Sequence, residues 1–143
     1  MLICVSHAYN GPMDTQDYRF EIKSWDEKPY LELEDGRKLT RASVVLAGTA
    51  DGLASATFES LMYYAADGTS TYTSFMHITG TLDGRTGSIV LQGQGTYDGT
   101  TARGELAIVD GTGDLAGITG KATSASTHAD YPHMPLTLTY ALA

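Results

Sequence analysis

The chain has 143 residues, 42% of them hydrophobic, with 16 glycines and nine tyrosines. That length suits one domain with a single core and is short for two. A formal charge of −8 with no run of Lys or Arg removes the counterion release that drives nucleic-acid binding and the attraction to an anionic membrane surface, so neither is an expected partner.

One cysteine, Cys4, leaves no internal disulfide; it reads as a buried inert thiol and fits a reducing compartment. Leu2 to Val5 is a short apolar stretch with no basic residues ahead of it, well below a secretion signal or a membrane span, and the expected location is cytoplasmic.

Residues 1–16 lack periodicity and contain Gly11-Pro12, which predicts a loosely ordered arm before a single domain over 17–143. A first strand is expected from Asp17 to Asp26, then a connection marked by Pro29 and the turn Glu34-Asp35-Gly36. Strands follow at Lys38–Thr49 and Leu53–Ala65, joined by a turn at Ala50-Asp51-Gly52, and Asp67-Gly68 turns the chain again.

The most informative stretch is Tyr72 to Gly95, centred on Asp83-Gly84, the pair that a two-residue type I′ hairpin turn requires. Such a turn sets Leu82 opposite Arg85, Ile78 opposite Ile89, Met76 opposite Leu91 and Ser74 opposite Gly93. Met76, Ile78, Leu82, Ile89 and Leu91 then share an apolar face. Phe75, His77, Thr79, Ser88, Val90 and Gln92 take the other.

Tyr97-Asp98-Gly99 leads into a strand at Ala102 to Val109. GTGDLAGITG, at 111–120, is too rich in glycine for a helix or long strand and reads as a structured loop with a turn at Asp114 to Ala116. A strand at Ile118 to Ser126, a loop over 128–135 and a final strand from Leu136, in which Leu136, Leu138, Tyr140 and Leu142 alternate with Thr137, Thr139 and Ala141, complete the chain. Eight strands in hairpin succession, punctuated by Asp-Gly at 51, 67, 83, 98 and 110, predict an all-β, eight-stranded antiparallel barrel, since closure removes exposed edges. A β-sandwich is the competing architecture.

Four segments carry a likeness to a known family: FEIKSWDEKPY at 20–30, LTRA at 39–42, TGTLDGRTGSIVLQ at 79–92 and DGTGDLAGITG at 110–120. Together they resemble the bacterial DUF3224 family, whose fold is an eight-stranded barrel related to allene oxide cyclase. The glycine-rich loop is similar to one shared by allene oxide cyclases and dirigent proteins. The resemblance implies a fold and says almost nothing about activity. It places Glu21 and Lys23 among polar residues lining a cavity and turns Trp25 inward, against the simple alternation that buries Phe20 and Ile22. Two positions depart from the family pattern: Met76 stands where a Glu is common and Gly93 where a His is common. Loss of the imidazole at Gly93 is expected to enlarge the cavity.

Chemistry is sparse in the sequence. Four histidines without Cys partners or helical spacing do not make a metal site, the glycine loop lacks the Lys-Ser/Thr and helix of a phosphate cradle, and no nucleophile elbow or triad is present. No metal or cofactor is expected. Glu59 is read as outward and solvated, while for Glu21 an inward, Lys23-paired placement competes with an outward one. The candidate catalytic groups are Glu21 and Tyr72; the candidate ligand-binding residues are Lys23, Trp25, Tyr64, Met76, Ile78, Leu91, Gly93, Leu106 and Tyr140. The reading is a cofactor-free cyclase or isomerase acting by orientation on one small, largely apolar molecule. A lipocalin-type binding barrel and a structural, oligomer-forming module with a filled core are the alternatives. A homo-oligomer is expected from Phe75 and Val90 on the outward face.

Overall fold

In the computed structural model, which describes residues 13–48 and 52–143, eight antiparallel strands close into a barrel in chain order, with the last pairing back to the first. They are β1 (Asp14–Glu32), β2 (Lys38–Gly48), β3 (Leu53–Tyr64), β4 (Ser70–Leu82), β5 (Arg85–Tyr97), β6 (Thr101–Gly113), β7 (Thr119–Thr127) and β8 (His133–Ala141). Closure excludes the sandwich.

The central hairpin has the register that its turn dictates, from Leu82 opposite Arg85 through Ile78 opposite Ile89 to Ser74 opposite Gly93. Asp83 and Gly84 both have positive φ, 50° and 79°, as a type I′ turn needs. Met76, Ile78, Leu82, Ile89 and Leu91 are all buried, and Phe75 is 56% exposed on the opposite face.

β1 is longer than expected at both ends. Asp14 to Gln16, assigned to the arm, pair with β8, and residues 1–12 of that arm, Cys4 among them, lie outside the described residues. Pro29 does not end the strand, because β1 pairs with β8 only as far as Glu21 and continues to Glu32 against β2 alone. A proline lacking an N–H is tolerated on such an edge, and it sits at a register shift between Pro29 and Leu31. Of the turn at 50–52 only Gly52 is described.

β6 also outruns its expected end, continuing to Gly113 through an irregularity opposite Val90/Leu91 that leaves Val109 outward. β8 starts at His133, within the expected loop. The turn at Asp114 to Ala116 is present, and it folds Leu115 and Ile118 under the barrel, where they are 1% and 5% exposed. Backbone hydrogen bonds from Asp114 N–H to Thr86 O and from Ile118 N–H to Leu115 O hold it there.

The core lies at this plugged end: Phe20, Leu46, Leu53, Ile78, Leu82 and Tyr140 are fully buried with Leu115. Each such side chain contributes about 1.5–3 kcal/mol of transfer free energy, so this half holds the barrel together. The other half is packed differently.

Candidate functional site

Along each strand, the inward positions change in size towards the far end. On β4 the sequence inward runs Leu82, Ile78, Met76, then Ser74, Tyr72 and Ser70; on β5 Leu91 gives way to Gly93 and Gly95; on β6 Leu106 gives way to Gly104 and Ala102; on β7 Ala122 is followed by Ser124 and Ser126. Large aliphatic residues fill one half; the serines, Ala102 and Gly104 leave the other open, whereas Gly93 and Gly95 admit Glu105 O and the Tyr72 ring. The result is a cavity of about 520 Å³. Its floor includes Met76 and Leu106, one wall carries Ser60, Met62 and Tyr72, and Trp25, Phe58 and Tyr131 stand among the aromatics around it. Among the described residues no Asp, Glu, Lys or Arg lines it.

Trp25 reaches this cavity through a bulge. Ile22 pairs with Leu46 and Ser24 with the next residue, Val45, so Lys23 is the extra residue and the inward parity passes from Phe20 and Ile22 to Trp25. Simple alternation therefore holds for Phe20 and Ile22 before the bulge, and the inward turn that the resemblance implied holds for Trp25 after it. Glu21 and Lys23, expected in the cavity, are not in its lining: they form an exposed pair with each other, 2.5 Å between Nζ and Oε1, which holds the Glu21 carboxyl below its usual range. Glu59 is likewise outward, bonded by Arg41 and Ser43.

Trp25 and Tyr64 are tied to one carboxylate. Glu27 accepts from Trp25 Nε1 at 2.9 Å, from Thr40 Oγ1 at 2.8 Å and from the Tyr64 hydroxyl. Burial alone would raise the Glu27 carboxyl, but the hydrogen bonds from Tyr64, Trp25 and Thr40, with Lys38 nearby, together hold it below the ordinary range. Tyr64 is pushed upward, first by burial and then by this carboxylate. Trp25 packs edge-on against Phe58 at 5.8 Å, and Lys38 Nζ lies 5.0 Å from the Tyr64 ring centre.

Of the other nominated residues, Tyr72, Met76 and Leu106 line the cavity with Trp25 and Tyr64. Burial raises the Tyr72 hydroxyl, which donates to Arg103 O at 3.3 Å. Ile78, Leu91 and Tyr140 lie outside the lining, in the packed half, where Tyr140 donates to Asp83 Oδ2 at 3.0 Å and accepts from Gln16 Nε2 at 2.9 Å. Gly93 does not enlarge the cavity: a Cβ there would fall 1.8 Å from Glu105 O, so the glycine serves close approach of β5 to β6.

The residue pattern between 18 and 140 matches the family described as "Protein of unknown function (DUF3224)". The chain belongs to the DUF3224 family. A crystal structure of a DUF3224 protein of unknown function from Shewanella oneidensis MR-1 is similar in fold, with a TM-score of 0.71 and 23% identity over 92% of this chain and 98% of that one. No curated protein matches the sequence significantly. In this DUF3224 member Met76 puts a thioether at the cavity floor.

The sequence reading missed the hydroxyl side of the site. Ser60 and Ser74, cross-strand partners, bond to each other, Ser124 donates to Pro135 O, and Ser70 is buried beside Tyr64. Period-two parity along Ser60-Met62-Tyr64 and Ser70-Tyr72-Ser74 was the available signal. His128 and His133, not nominated for a site from the sequence, also line the cavity; Tyr97 stacks edge-on with His128, and its hydroxyl is 2.9 Å from His128 Nε2. Because Tyr97 donates to Gly99 O at 2.8 Å, its oxygen is left to accept from that ring nitrogen. Among the described residues no group of three or more His, Cys, Asp or Glu is arranged to hold a metal ion.

Proposed function

We propose that this barrel binds one small, largely apolar molecule in its open half. The observation that carries the reading is the cavity of about 520 Å³, walled by aromatic and thioether side chains without an acid or a strong base. That volume lies in the range of small-molecule sites, roughly 300–1,000 Å³, and an apolar lining with a few placed polar groups is their usual composition. It speaks against the filled-core alternative. Trp25, the one tryptophan of the chain, lines the cavity and supplies the readout. Titration with N-phenyl-1-naphthylamine should give saturable energy transfer from Trp25 at one probe per chain; an unsaturable signal or none would sink the reading.

A cofactor-free cyclase or isomerase is the second reading, favoured by the Tyr97–His128 pair in the cavity lining, which could move a proton to or from a bound substrate. It requires turnover. A reactive apolar substrate should then rearrange with a stereochemical bias in the presence of the protein and lose that bias in His128→Ala.

A further inference from the structure

Ser70 is only 4% exposed, it is one of the residues around the cavity, and among the described residues its Oγ is buried without a hydrogen-bond partner. Its neighbours differ. Ser60 and Ser74 satisfy each other, Ser124 donates to a carbonyl, and the Tyr64 hydroxyl is committed to Glu27. A buried hydroxyl without a partner is destabilising, so a fold that keeps one at the wall of a cavity is suited to a ligand that completes it. A serine side chain has three staggered positions, and rotation about χ1 swings Oγ among them.

The surroundings of Ser70 also specify charge. Its cross-strand partner on β3 is Tyr64, which bonds Glu27, and Lys38 lies over the Tyr64 ring. Glu27 and Lys38 offset each other, and among the described residues no Asp, Glu, Lys or Arg lines the cavity. A carboxylate or an ammonium group entering here would give up its hydration without a counter-charge.

We infer that the cavity takes an uncharged ligand with an apolar body and one hydrogen-bonding group, an alcohol, ketone or ester oxygen, which Ser70 binds. The inference rests on the binding reading above. It is tested by displacing N-phenyl-1-naphthylamine with 1-octanol, octanoate, octylamine and toluene at about pH 8, where octanoate and octylamine are both ionised. In the native protein octanol should compete at least about tenfold better than either charged analogue. Ser70→Ala should weaken octanol by about 3- to 10-fold, the size of one neutral hydrogen bond, and leave toluene within about twofold. Ser70→Cys, close in size and a weaker partner, should weaken octanol in the same direction and guards against a packing defect in the alanine variant.

Octanoate or octylamine competing as well as octanol would overturn the inference, as would octanol and toluene weakening together in both variants. Those outcomes leave probe binding intact. Absence of any probe uptake would overturn the binding reading and this inference with it.

Discussion

The ring of Tyr72 occupies the space that a side chain on Gly95 would need: a Cβ built there would fall 2.3 Å from both Cζ and the hydroxyl oxygen of Tyr72. Gly95 is the cross-strand partner of Tyr72 on β4 and of Gly104 on β6, so two bare backbones form the cradle on which the ring lies. The same Cβ would stand 2.4 Å from Arg103 O, which is backbone and cannot turn aside. Gly95→Ala is therefore expected to destabilise by about 1–3 kcal/mol, and Tyr72→Ala in the same chain should restore only part of that, because the carbonyl clash remains. Urea unfolding of the single and double variants measures both quantities.

Tyr140 makes an alkaline prediction. Burial first, and then its hydrogen bond to the Asp83 carboxylate, push the Tyr140 hydroxyl upward in the folded state. A group whose folded value is raised stabilises fully below its unfolded value, about pH 10 for tyrosine, and that stability is lost as pH rises through the folded value. Tyr140→Phe should lower stability at neutral pH by about 1–3 kcal/mol, leaving Asp83 and Gln16 without this partner, and should make the decline above about pH 10 shallower. Tyr64 and Tyr72 are also raised, so a residual slope is expected. Denaturant titrations between pH 8 and 12 test the sign.

Glu27 holds the indole of Trp25 and the hydroxyl of Tyr64 at once. Glu27→Ala should release both rings, shift the Trp25 emission to the red as the indole gains water, and weaken binding of a neutral probe. Glu27→Gln keeps an acceptor oxygen and should fall between the native protein and Glu27→Ala. Unchanged emission in Glu27→Ala would show that the carboxylate does not position the indole.

Asp83-Gly84 made one hairpin legible in the sequence, because two consecutive residues at positive φ leave little choice of turn or register. The terminal alternation at Leu136, Leu138 and Tyr140 was equally direct. Parity along β1 was not, since the bulge at Lys23 reverses the residues from Ser24 to Pro29 and has no composition of its own. Gly93 misled for a related reason: a missing side chain can open a cavity or admit a neighbouring backbone, and only the distance to Glu105 O separates the two. The cavity itself was written as serines, Ala102 and Gly104 on the inward positions of β4, β6 and β7, a deficit of volume that shows only once these strands are set side by side.

The central claim, that the open half of the barrel is a binding cavity, is tested most directly by filling it. Ala102 lines the cavity on β6, between Tyr97 and Ser126 as cross-strand partners, so Ala102→Phe places a ring in the space a ligand would occupy on a strand that favours aromatic residues. His77→Ala, on the exposed face of β4, is the control. With Trp25 as energy donor, N-phenyl-1-naphthylamine should bind His77→Ala as it binds the native chain and bind Ala102→Phe at least about tenfold more weakly, through lost contact area, with the circular dichroism of all three unchanged. A folded Ala102→Phe variant that binds the probe with native affinity would contradict the account.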